Sequence, residues 1–168
     1  MISRRLINHF DGAMMKVLMV CMGNICRSPT AEAVLRKKAD EQGIDLHIDS
    51  AGTLSLHAGN NPDPRSIDAG EVRGYDFSGI TSRPIADYDF EYFDIIALMD
   101  DDNWEEVMMR CPPNYRHKVH YLLNFAFKDN ENHDVPDPYY SHDKGFDEVL
   151  DLVEQGCDGL LDWVKQQR

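Results

Sequence analysis

Residues 17–38 read VLMVCMGNICRSPTAEAVLRKK, and this stretch decides the fold. A short apolar run rich in valine leads to Cys21 and predicts a buried strand over residues 16–20. A proline in the first turn after Arg27 and an acid soon after it are helix-start signals, and a helical pattern then continues to Gly43. The stretch is therefore predicted to be a strand, a loop and a helix, with Cys21 at the mouth of the loop.

The rest of the chain repeats this alternation of strands and helices. Further strands are predicted at LHIDSAG (46–52), FDIIALMD (93–100) and KVHYLL (118–123). Further helices are predicted from near Pro64, over 101–111 and from Phe146 to Gln167, where Gly156 and Gly159 favour an interruption. Such alternation predicts an α/β fold with a parallel sheet and helices on both faces. Ligands of these sheets bind beyond the carboxyl ends of the strands, which is where Cys21 lies.

The composition limits the classes of partner. The 17 basic and 30 acidic residues give a net charge of −13, and such a surface repels nucleic acids and anionic membranes. No apolar run approaches the roughly 18 residues of a membrane span, and the N-terminus lacks a secretory pattern. Four cysteines without those signals favour free thiols in a reducing compartment. We therefore expect a cytoplasmic protein with neither a nucleic-acid nor a membrane partner.

Residues 1–14 differ from the sequence that follows them. They contain no continuation of the strand and helix pattern, and we expect them to be a flexible N-terminal extension. Residues 15–168 are then expected to form a single domain. The alternative interpretation is that the protein starts at Met14 or Met15.

The five residues between Cys21 and Arg27 predict a phosphate-binding loop. They are Met22, Gly23, Asn24, Ile25 and Cys26. Glycine and asparagine tolerate positive φ, so the loop can turn several backbone N–H groups toward one anion. The amino end of the next helix adds positive potential, and the Arg27 guanidinium suits two phosphate oxygens. The same surroundings stabilise Cys21 as a thiolate nucleophile, and Ser28 follows closely enough to hydrogen-bond its sulfur.

Other loops with cysteine or glycine fit the sequence less well. The nucleotide-binding pattern G-x-x-x-x-G-K-[ST] and the dinucleotide pattern G-x-G-x-x-G are absent. Four residues separate Cys21 from Cys26, a spacing that matches neither a C-x-x-C redox motif nor paired zinc ligands. A buried, inert cysteine is the structural alternative, and the loop composition and the helix behind it argue against that alternative.

The segment DVPDPYY at 134–140 supplies a candidate general acid. Expulsion of a phenolate, whose conjugate acid has a pKa of ~10, requires a proton donor in the transition state. Asp137 is favoured because a proline on each side fixes its backbone, and Asp134 is the alternative acid. Tyr139 and Tyr140 add aromatic faces for a substrate that carries a ring. The same carboxylate would take a proton from water in a second step.

These segments together resemble a known family. VCMGNICRSPTAE is similar to the signature of the low-molecular-weight protein tyrosine phosphatases, and DPYY is similar to their acid loop. SAGT at 50–53, NNPDPR at 60–65 and FDIIALMD at 93–100 resemble further family segments in the same order. The likeness covers nearly the whole chain from Met15. It implies a three-layer fold in which a four-stranded parallel sheet is flanked by helices on both faces.

The resemblance also implies roles for individual residues. Cys21 would be the nucleophile in the hydrolysis of phosphotyrosine and other aryl phosphate monoesters, through a phosphocysteine intermediate and without metal or cofactor. Arg27 and the loop backbone would bind the phosphate, and Asp137 would be the general acid and base. The expected hydrogen-bond network of the loop is Asn24, Ser28 and Ser50. The expected substrate contacts are Met22, Gly23, Asn24, Ile25, Cys26, Ser28, Leu56, Tyr139 and Tyr140.

Partners and regulation follow from the same resemblance. The substrate would be a protein that contains phosphotyrosine or a small aryl phosphate, with phosphoarginine left open, and inorganic phosphate and other oxyanions would inhibit. Cys26 would be a redox partner that captures oxidised Cys21 in a disulfide. The alternative for Cys26 is a small side chain packed under the loop.

Three positions depart from the family pattern. Leu56 stands where members usually have an aromatic residue on the pocket wall. Members with a histidine in the loop network have it near Arg73, and this chain has none there. The segment SRPI at 82–85 replaces a more usual Ser-Arg-Gln. His57 lies in the loop that the resemblance brings near the pocket, where it either tunes specificity or is merely solvated.

Two rival functions remain. An arsenate reductase can use the same spacing of cysteine and arginine, but it needs further cysteines close together, and Cys111 and Cys157 are far apart in the sequence. An anion-binding module without catalysis is the second rival. The joint presence of Cys21, Arg27 and Asp137 argues against it.

Overall fold

Four parallel strands form the centre of the protein. The structure, a computed structural model, describes residues 14–127, 133–139 and 144–167. The strands are β1 (Met15–Cys21), β2 (Leu46–Gly52), β3 (Ile95–Leu98) and β4 (Val119–Tyr121), in the spatial order β2-β1-β3-β4. All three pairings are parallel, so the predicted four-stranded parallel sheet is confirmed.

The helices alternate with the strands along the chain. They are α1 (Arg27–Glu41), α2 (Pro64–Val72), α3 (Asp87–Tyr92), α4 (Asp101–Arg110) and α5 (Lys144–Gln166). Two 3-10 helices, Pro113–Lys118 and Leu122–Phe125, flank β4. The strand predicted at 118–123 is shorter than expected because the second 3-10 helix begins at Leu122. The sequence analysis did not predict α3.

Both faces of the sheet are covered by helices. Val17 and Met19 of β1 belong to a core that includes residues of α1 and α5. The alternate residues Leu18 and Val20 belong to a second core that includes residues of α3 and α4. A strand buried on both faces has a continuous apolar sequence, which is why KVLMV shows no polar alternation. The predicted three-layer arrangement is confirmed.

The loop after β1 lies where the order of the strands reverses. β1 pairs with β2 on one side and with β3 on the other. Connections that depart to opposite sides leave a crevice beyond the carboxyl ends of these strands. Cys21 is the last residue of β1 and pairs in register with Gly52 of β2. The fold therefore brings Cys21 to the mouth of this crevice.

The predicted interruption of the last helix is wrong. Helix α5 continues through both of its interior glycines. A Cβ on Gly156 would lie 2.7 Å from Leu122 Cγ, and a Cβ on Gly159 would lie 2.3 Å from the Phe125 carbonyl oxygen. The glycines therefore allow the 3-10 helix after β4 to lie directly against α5.

We expect Gly159→Ala to destabilise the protein despite the higher helix propensity of alanine. The new Cβ can avoid the Phe125 backbone only if the two helices move apart. We expect this movement to cost more than the gain in propensity, so the free energy of unfolding should fall by about 1–2 kcal/mol. Chemical denaturation measures the change. Glu148→Ala, at an exposed position of the same helix, is the control and should change stability by less than about 0.5 kcal/mol. A more stable Gly159→Ala protein would contradict the packing argument.

Two expectations fall outside the described residues. Of the expected N-terminal extension, 1–14, only Met14 is described, and Tyr140 of the acid loop is likewise outside the described residues. Among the helices that the structure does describe, none is both long enough and apolar enough to cross a membrane.

Candidate active site

Asn24 sets the shape of the loop between β1 and α1. Its φ of 56° is the only positive φ of a non-glycine residue in the described part of the chain. Its buried side chain accepts a hydrogen bond from the Arg83 backbone N–H (3.0 Å) and donates one to Ser28 Oγ (2.8 Å). These bonds hold a backbone conformation that asparagine tolerates better than most residues. The prediction of positive φ is confirmed at Asn24, whereas Gly23 has none and instead leaves room for the ring of His57.

The segment at 82–85 supports the loop from outside. Ser82 Oγ donates a hydrogen bond to the Gly23 carbonyl oxygen at 3.0 Å, beside the bond from the Arg83 backbone to Asn24. The Arg83 guanidinium is itself held by Asp49 (3.1 Å) and Asp89 (2.9 Å). The departure from the family pattern in SRPI therefore leaves the loop with polar support.

Ser28 directs its hydroxyl toward the sulfur of Cys21. The Sγ and Oγ atoms are 3.0 Å apart, and both side chains are buried. Because Ser28 Oγ accepts the Asn24 side-chain N–H, its own proton is available for the sulfur or for the Ala51 carbonyl oxygen at 3.5 Å. The shorter distance favours the sulfur. A donated hydrogen bond of this kind stabilises a thiolate on Cys21.

Arg27 is buried at the start of α1 among three acceptors. Its guanidinium donates to the Val135 carbonyl oxygen (3.0 Å), pairs closely with Asp100 and lies 3.5 Å from Asp137 Oδ2. Burial opposes the charged form, but the negative charges of Cys21, Asp100 and Asp137 raise the pKa of Arg27 above its ordinary value. The side chain is therefore a fixed cation next to the sulfur.

Asp100 is a site residue that the sequence analysis missed. Its carboxylate pairs with Arg27 and also accepts the Asn103 backbone N–H at 2.8 Å, which caps α4. In the sequence it is one of three consecutive acids and resembles a solvated start of a helix. A usable signal was its position just after β3, at the same edge of the sheet as Cys21.

The acid loop contacts Arg27 through Val135 and Asp137. The Val135 backbone N–H donates to the Met99 carbonyl oxygen at 2.7 Å, which fixes the loop to the end of β3. Asp137 faces Arg27, and its Oδ1 accepts the Tyr139 backbone N–H at 3.0 Å. Asp134 instead accepts the Asp101 backbone N–H at 3.2 Å. This geometry favours Asp137 over Asp134 as the acid near the sulfur.

A cleft of about 240 Å³ joins these groups. Its lining residues are Cys21, Met22, Gly23, Ile25, Cys26, Arg27, Leu56, His57, Asp137 and Tyr139. Asn24 and Ser28, expected as substrate contacts, are fully buried and absent from this lining, because they support the loop from beneath. The His57 and Tyr139 rings both line this cleft, with centroids 6.1 Å apart and planes inclined by 45°.

Ser50 does not join the loop network as the sequence analysis expected. Its buried hydroxyl donates to Glu32 Oε1 at 2.7 Å, which ties β2 to α1. Burial raises the pKa of Glu32, against the opposing effects of the Ser50 hydrogen bond and of Arg36. A buried carboxylate requires such donors, and Ser50 serves that need. The described loop network consists of Asn24, Ser28 and the 82–85 segment.

The other two departures from the family pattern have different consequences. Leu56 lies on the rim of the cleft and is 77% exposed, so it offers an apolar contact to a substrate. Arg73 ends α2 and pairs with acids of α5, among them Asp151 at 2.8 Å. It therefore joins two helices and takes no part in the loop network.

Cys26 lies in the cleft lining as a protonated thiol. Its sulfur is 3.9 Å from Asp63 Oδ2. Burial and the negative charge of Asp63 raise the pKa of Cys26 to about 12. The two cysteines of the loop therefore differ in their surroundings, with a hydroxyl donor beside Cys21 and a carboxylate beside Cys26.

Known proteins are similar to this chain in sequence and in fold. The family model for low molecular weight phosphotyrosine protein phosphatases matches residues 16–168. The low molecular weight protein-tyrosine-phosphatase YfkJ of Bacillus subtilis is 36% identical over 159 residues, which cover 92% of this chain and 99% of YfkJ. A crystal structure of a protein tyrosine phosphatase from Entamoeba histolytica, with Hepes in its active site, has a TM-score of 0.85 at 42% identity and covers 90% of this chain and 97% of that one. The crystal structure of YfkJ also has a TM-score of 0.85, at 35% identity, and covers 94% and 98% of the two chains.

Proposed function

The chain belongs to the low molecular weight phosphotyrosine protein phosphatase family, and we propose that it hydrolyses phosphotyrosine monoesters through a phosphocysteine formed on Cys21. One observation carries this proposal. The Cys21 sulfur, 3.0 Å from the Ser28 hydroxyl, lies in a cleft that also contains Arg27 and Asp137, 3.5 Å apart. Nucleophile, phosphate ligand and proton donor thus converge on one volume.

In the first step the substrate phosphate binds to Arg27 and to the N–H groups of the loop. The Cys21 sulfur attacks phosphorus, and the bond from phosphorus to the aryl oxygen breaks. Asp137, protonated at this stage, gives its proton to that oxygen, so the leaving group departs as a neutral phenol. The guanidinium and the backbone dipoles supply the positive potential that the transition state needs, so we propose that neither metal nor cofactor takes part.

In the second step water attacks the phosphocysteine. The Asp137 carboxylate accepts a proton from this water as its oxygen bonds to phosphorus. The sulfur–phosphorus bond breaks and Cys21 leaves as a thiolate, which the Ser28 hydroxyl stabilises. Inorganic phosphate is the product, and as an anion that fits the same cradle it should inhibit, as should other oxyanions.

The walls of the cleft support an aryl phosphate as the substrate. Met22, Ile25 and Leu56 are aliphatic and Tyr139 adds an aromatic face, which together suit the ring of phosphotyrosine or of a small aryl ester. The net charge of −13 supports the expectation of neither nucleic-acid nor membrane partners. Four free thiols support a reducing compartment, and we propose the cytoplasm.

We also propose that residues 15–168 form the single phosphatase domain and that residues 1–14 are an extension to it. In support, β1 begins at Met15, which is buried in the main core. The arsenate reductase alternative loses support because Cys111 and Cys157 lie in the cores on opposite faces of the sheet. They cannot relay oxidation to each other without unfolding.

Steady-state hydrolysis of para-nitrophenyl phosphate in the presence of a chelator tests the function. We expect turnover that the chelator does not reduce, and rapid acid quenching should trap a phosphoryl group on the peptide that contains Cys21. Phosphotyrosine and phosphoarginine peptides, compared at equal concentration, then identify the substrate class. No turnover by the wild type, with phosphate still protecting Cys21 from alkylation, would favour an anion-binding module.

The redox role of Cys26 gives a separate prediction. Hydrogen peroxide oxidises the Cys21 thiolate to a sulfenic acid, and condensation with the Cys26 thiol forms a disulfide and releases water. We expect peroxide-treated wild type to lose two hydrogens in intact mass and to regain activity with dithiothreitol. Cys26→Ser should progress to sulfinic and sulfonic acids and recover little. Cys111→Ser, a buried cysteine far from the cleft, should recover like the wild type, and equal recovery by Cys26→Ser would contradict the role.

A further inference from the structure

Three rings stack beside the start of the acid loop. Trp104 of α4 lies parallel to Tyr121 of β4, with ring centroids 4.8 Å apart and planes inclined by 9°. His133 also stacks on Tyr121, with ring centroids 3.6 Å apart and planes inclined by 23°. The His133 imidazole thus adds a third ring to a stack formed by side chains of α4 and β4. The chain continues from His133 directly into the acid loop.

Asp101 joins the stack to the loop by hydrogen bonds. Its Oδ1 accepts the Tyr121 hydroxyl at 2.6 Å and lies 2.9 Å from His133 Nε2. Because a carboxylate only accepts, Nε2 carries the proton of this bond. The hydrogen bonds from Tyr121 and His133 hold the pKa of Asp101 below its ordinary value, so the acceptor is a carboxylate. The Asp101 backbone N–H in turn donates to Asp134 at 3.2 Å.

This arrangement matters most when substrate is bound. Asp137 is held in part by its ion pair with Arg27 at 3.5 Å. A bound phosphate engages Arg27 and weakens that pair, so the backbone on each side of Asp137 must then keep the carboxyl in place. On the far side, Arg65 donates to the Tyr139 carbonyl oxygen at 3.2 Å. On the near side the described anchors include Val135, bonded to Met99, Asp134, bonded to the Asp101 backbone N–H, and His133.

We propose that His133 is a positioning residue for the general acid, acting through its hydrogen bond to Asp101. The inference rests on the proposed role of Asp137. It assigns to His133 no contact with substrate and no part in phosphate binding. Loss of the hydrogen bond should loosen the entry to the acid loop, and small displacements of a catalytic group have large effects on rate. Asp137 is also the proposed base of the second step, which is the same for every substrate, so the dependence on the leaving group should appear in kcat/KM, which reports on the first step.

Two substitutions separate the hydrogen bond from the ring. His133→Phe keeps a ring to stack on Tyr121 but removes the donor to Asp101, and His133→Gln keeps a donor near the position of Nε2. For His133→Phe we expect kcat/KM to fall about tenfold with phenyl phosphate and less than about twofold with para-nitrophenyl phosphate, whose leaving group needs little protonation. His133→Gln should restore most of the loss. His117→Phe, at an exposed position of the first 3-10 helix, is the matched control and should match the wild type.

Inhibition by inorganic phosphate distinguishes this role from damage to the cradle. Asp101 is the neighbour of Asp100, which holds Arg27, so a disturbance that reached Arg27 would weaken phosphate binding and slow both substrates. We expect the phosphate inhibition constant to be unchanged. Equal losses on both substrates, no loss on either, or failure of His133→Gln to rescue would each overturn the proposal.

Two further results distinguish failure of the proposed function from failure of the role of His133 alone. If the wild type turns over neither ester, the proposed function and this inference fail together. If the wild type is active and Asp137→Asn discriminates between the esters while His133→Phe does not, only the role of His133 fails. Should His133→Phe not fold, Asp101→Ala removes the acceptor of the same hydrogen bond, and it must show the same discrimination for the proposal to stand.

Discussion

Cys21→Ser is expected to abolish turnover of aryl phosphates, with a loss of at least ~10⁴-fold in kcat because no phosphocysteine can form. A serine hydroxyl in the same position remains protonated, and the surroundings that favour a thiolate do not deprotonate an alcohol. Initial rates with saturating para-nitrophenyl phosphate measure the loss. Phosphate binding, followed as the rise in melting temperature with added phosphate, should persist because Arg27 and the loop backbone are intact.

The control for this prediction is the same substitution at a cysteine that lies outside the cleft. Cys111 is buried in the core that contains residues of α3 and α4, and Cys111→Ser should keep turnover within a few fold of the wild type. A Cys21→Ser protein with a rate within tenfold of the wild type would contradict nucleophilic catalysis. Loss of phosphate binding together with turnover would indicate instead that the substitution had disrupted the loop.

Asp137→Asn is expected to show the second largest effect, and that effect should depend on the leaving group. The amide cannot give a proton to the departing oxygen, so hydrolysis of phenyl phosphate should fall by about 10²–10³-fold, within the usual contribution of a general acid. Hydrolysis of para-nitrophenyl phosphate should fall far less, because its leaving group is stable as an anion. Parallel measurements of kcat/KM for both esters give the ratio, because kcat also contains the second step, in which Asp137 acts on an intermediate common to both.

Asp134→Asn is the matched comparison in the same loop. Its side-chain oxygen can still accept the Asp101 backbone N–H, so the fold of the loop is preserved. We expect similar rates to the wild type on both esters. If Asp134→Asn discriminated between the leaving groups and Asp137→Asn did not, the acid would be Asp134.

Local sequence was sufficient for the elements around Cys21. The strand, the loop and the helix that follow one another there each leave their signal within a few residues, and β2 was predicted at its observed bounds. Gly156 and Gly159 led to the wrong prediction of an interruption in α5 because helix propensity is a local quantity. Their small size instead allows close contact with a 3-10 helix that is distant in the sequence. The sheet order of the strands then explains why loops from three different parts of the chain meet at one crevice.

The acids at 100–102 illustrate what sequence cannot separate. Asp100 caps α4 and pairs with Arg27. Asp101 accepts hydrogen bonds from the side chains of Tyr121 and His133, whereas Asp102 is exposed. All three look alike as the start of a helix, because only the fold decides which side chain faces the crevice. The same holds for Ser50, whose neighbour Glu32 could be identified only once β2 and α1 were packed together.

The left-handed backbone conformation of Asn24 affects what must happen between successive catalytic cycles. Such a conformation costs a non-glycine residue on the order of 1 kcal/mol or more, and here two side-chain hydrogen bonds to Ser28 and Arg83 offset it within the folded chain. The protein therefore adopts this unfavourable conformation once, when it folds, and we expect no further conformational free energy to be required in each catalytic cycle. We expect the loop to keep this curvature when inorganic phosphate departs, so that the next substrate binds without refolding of the loop.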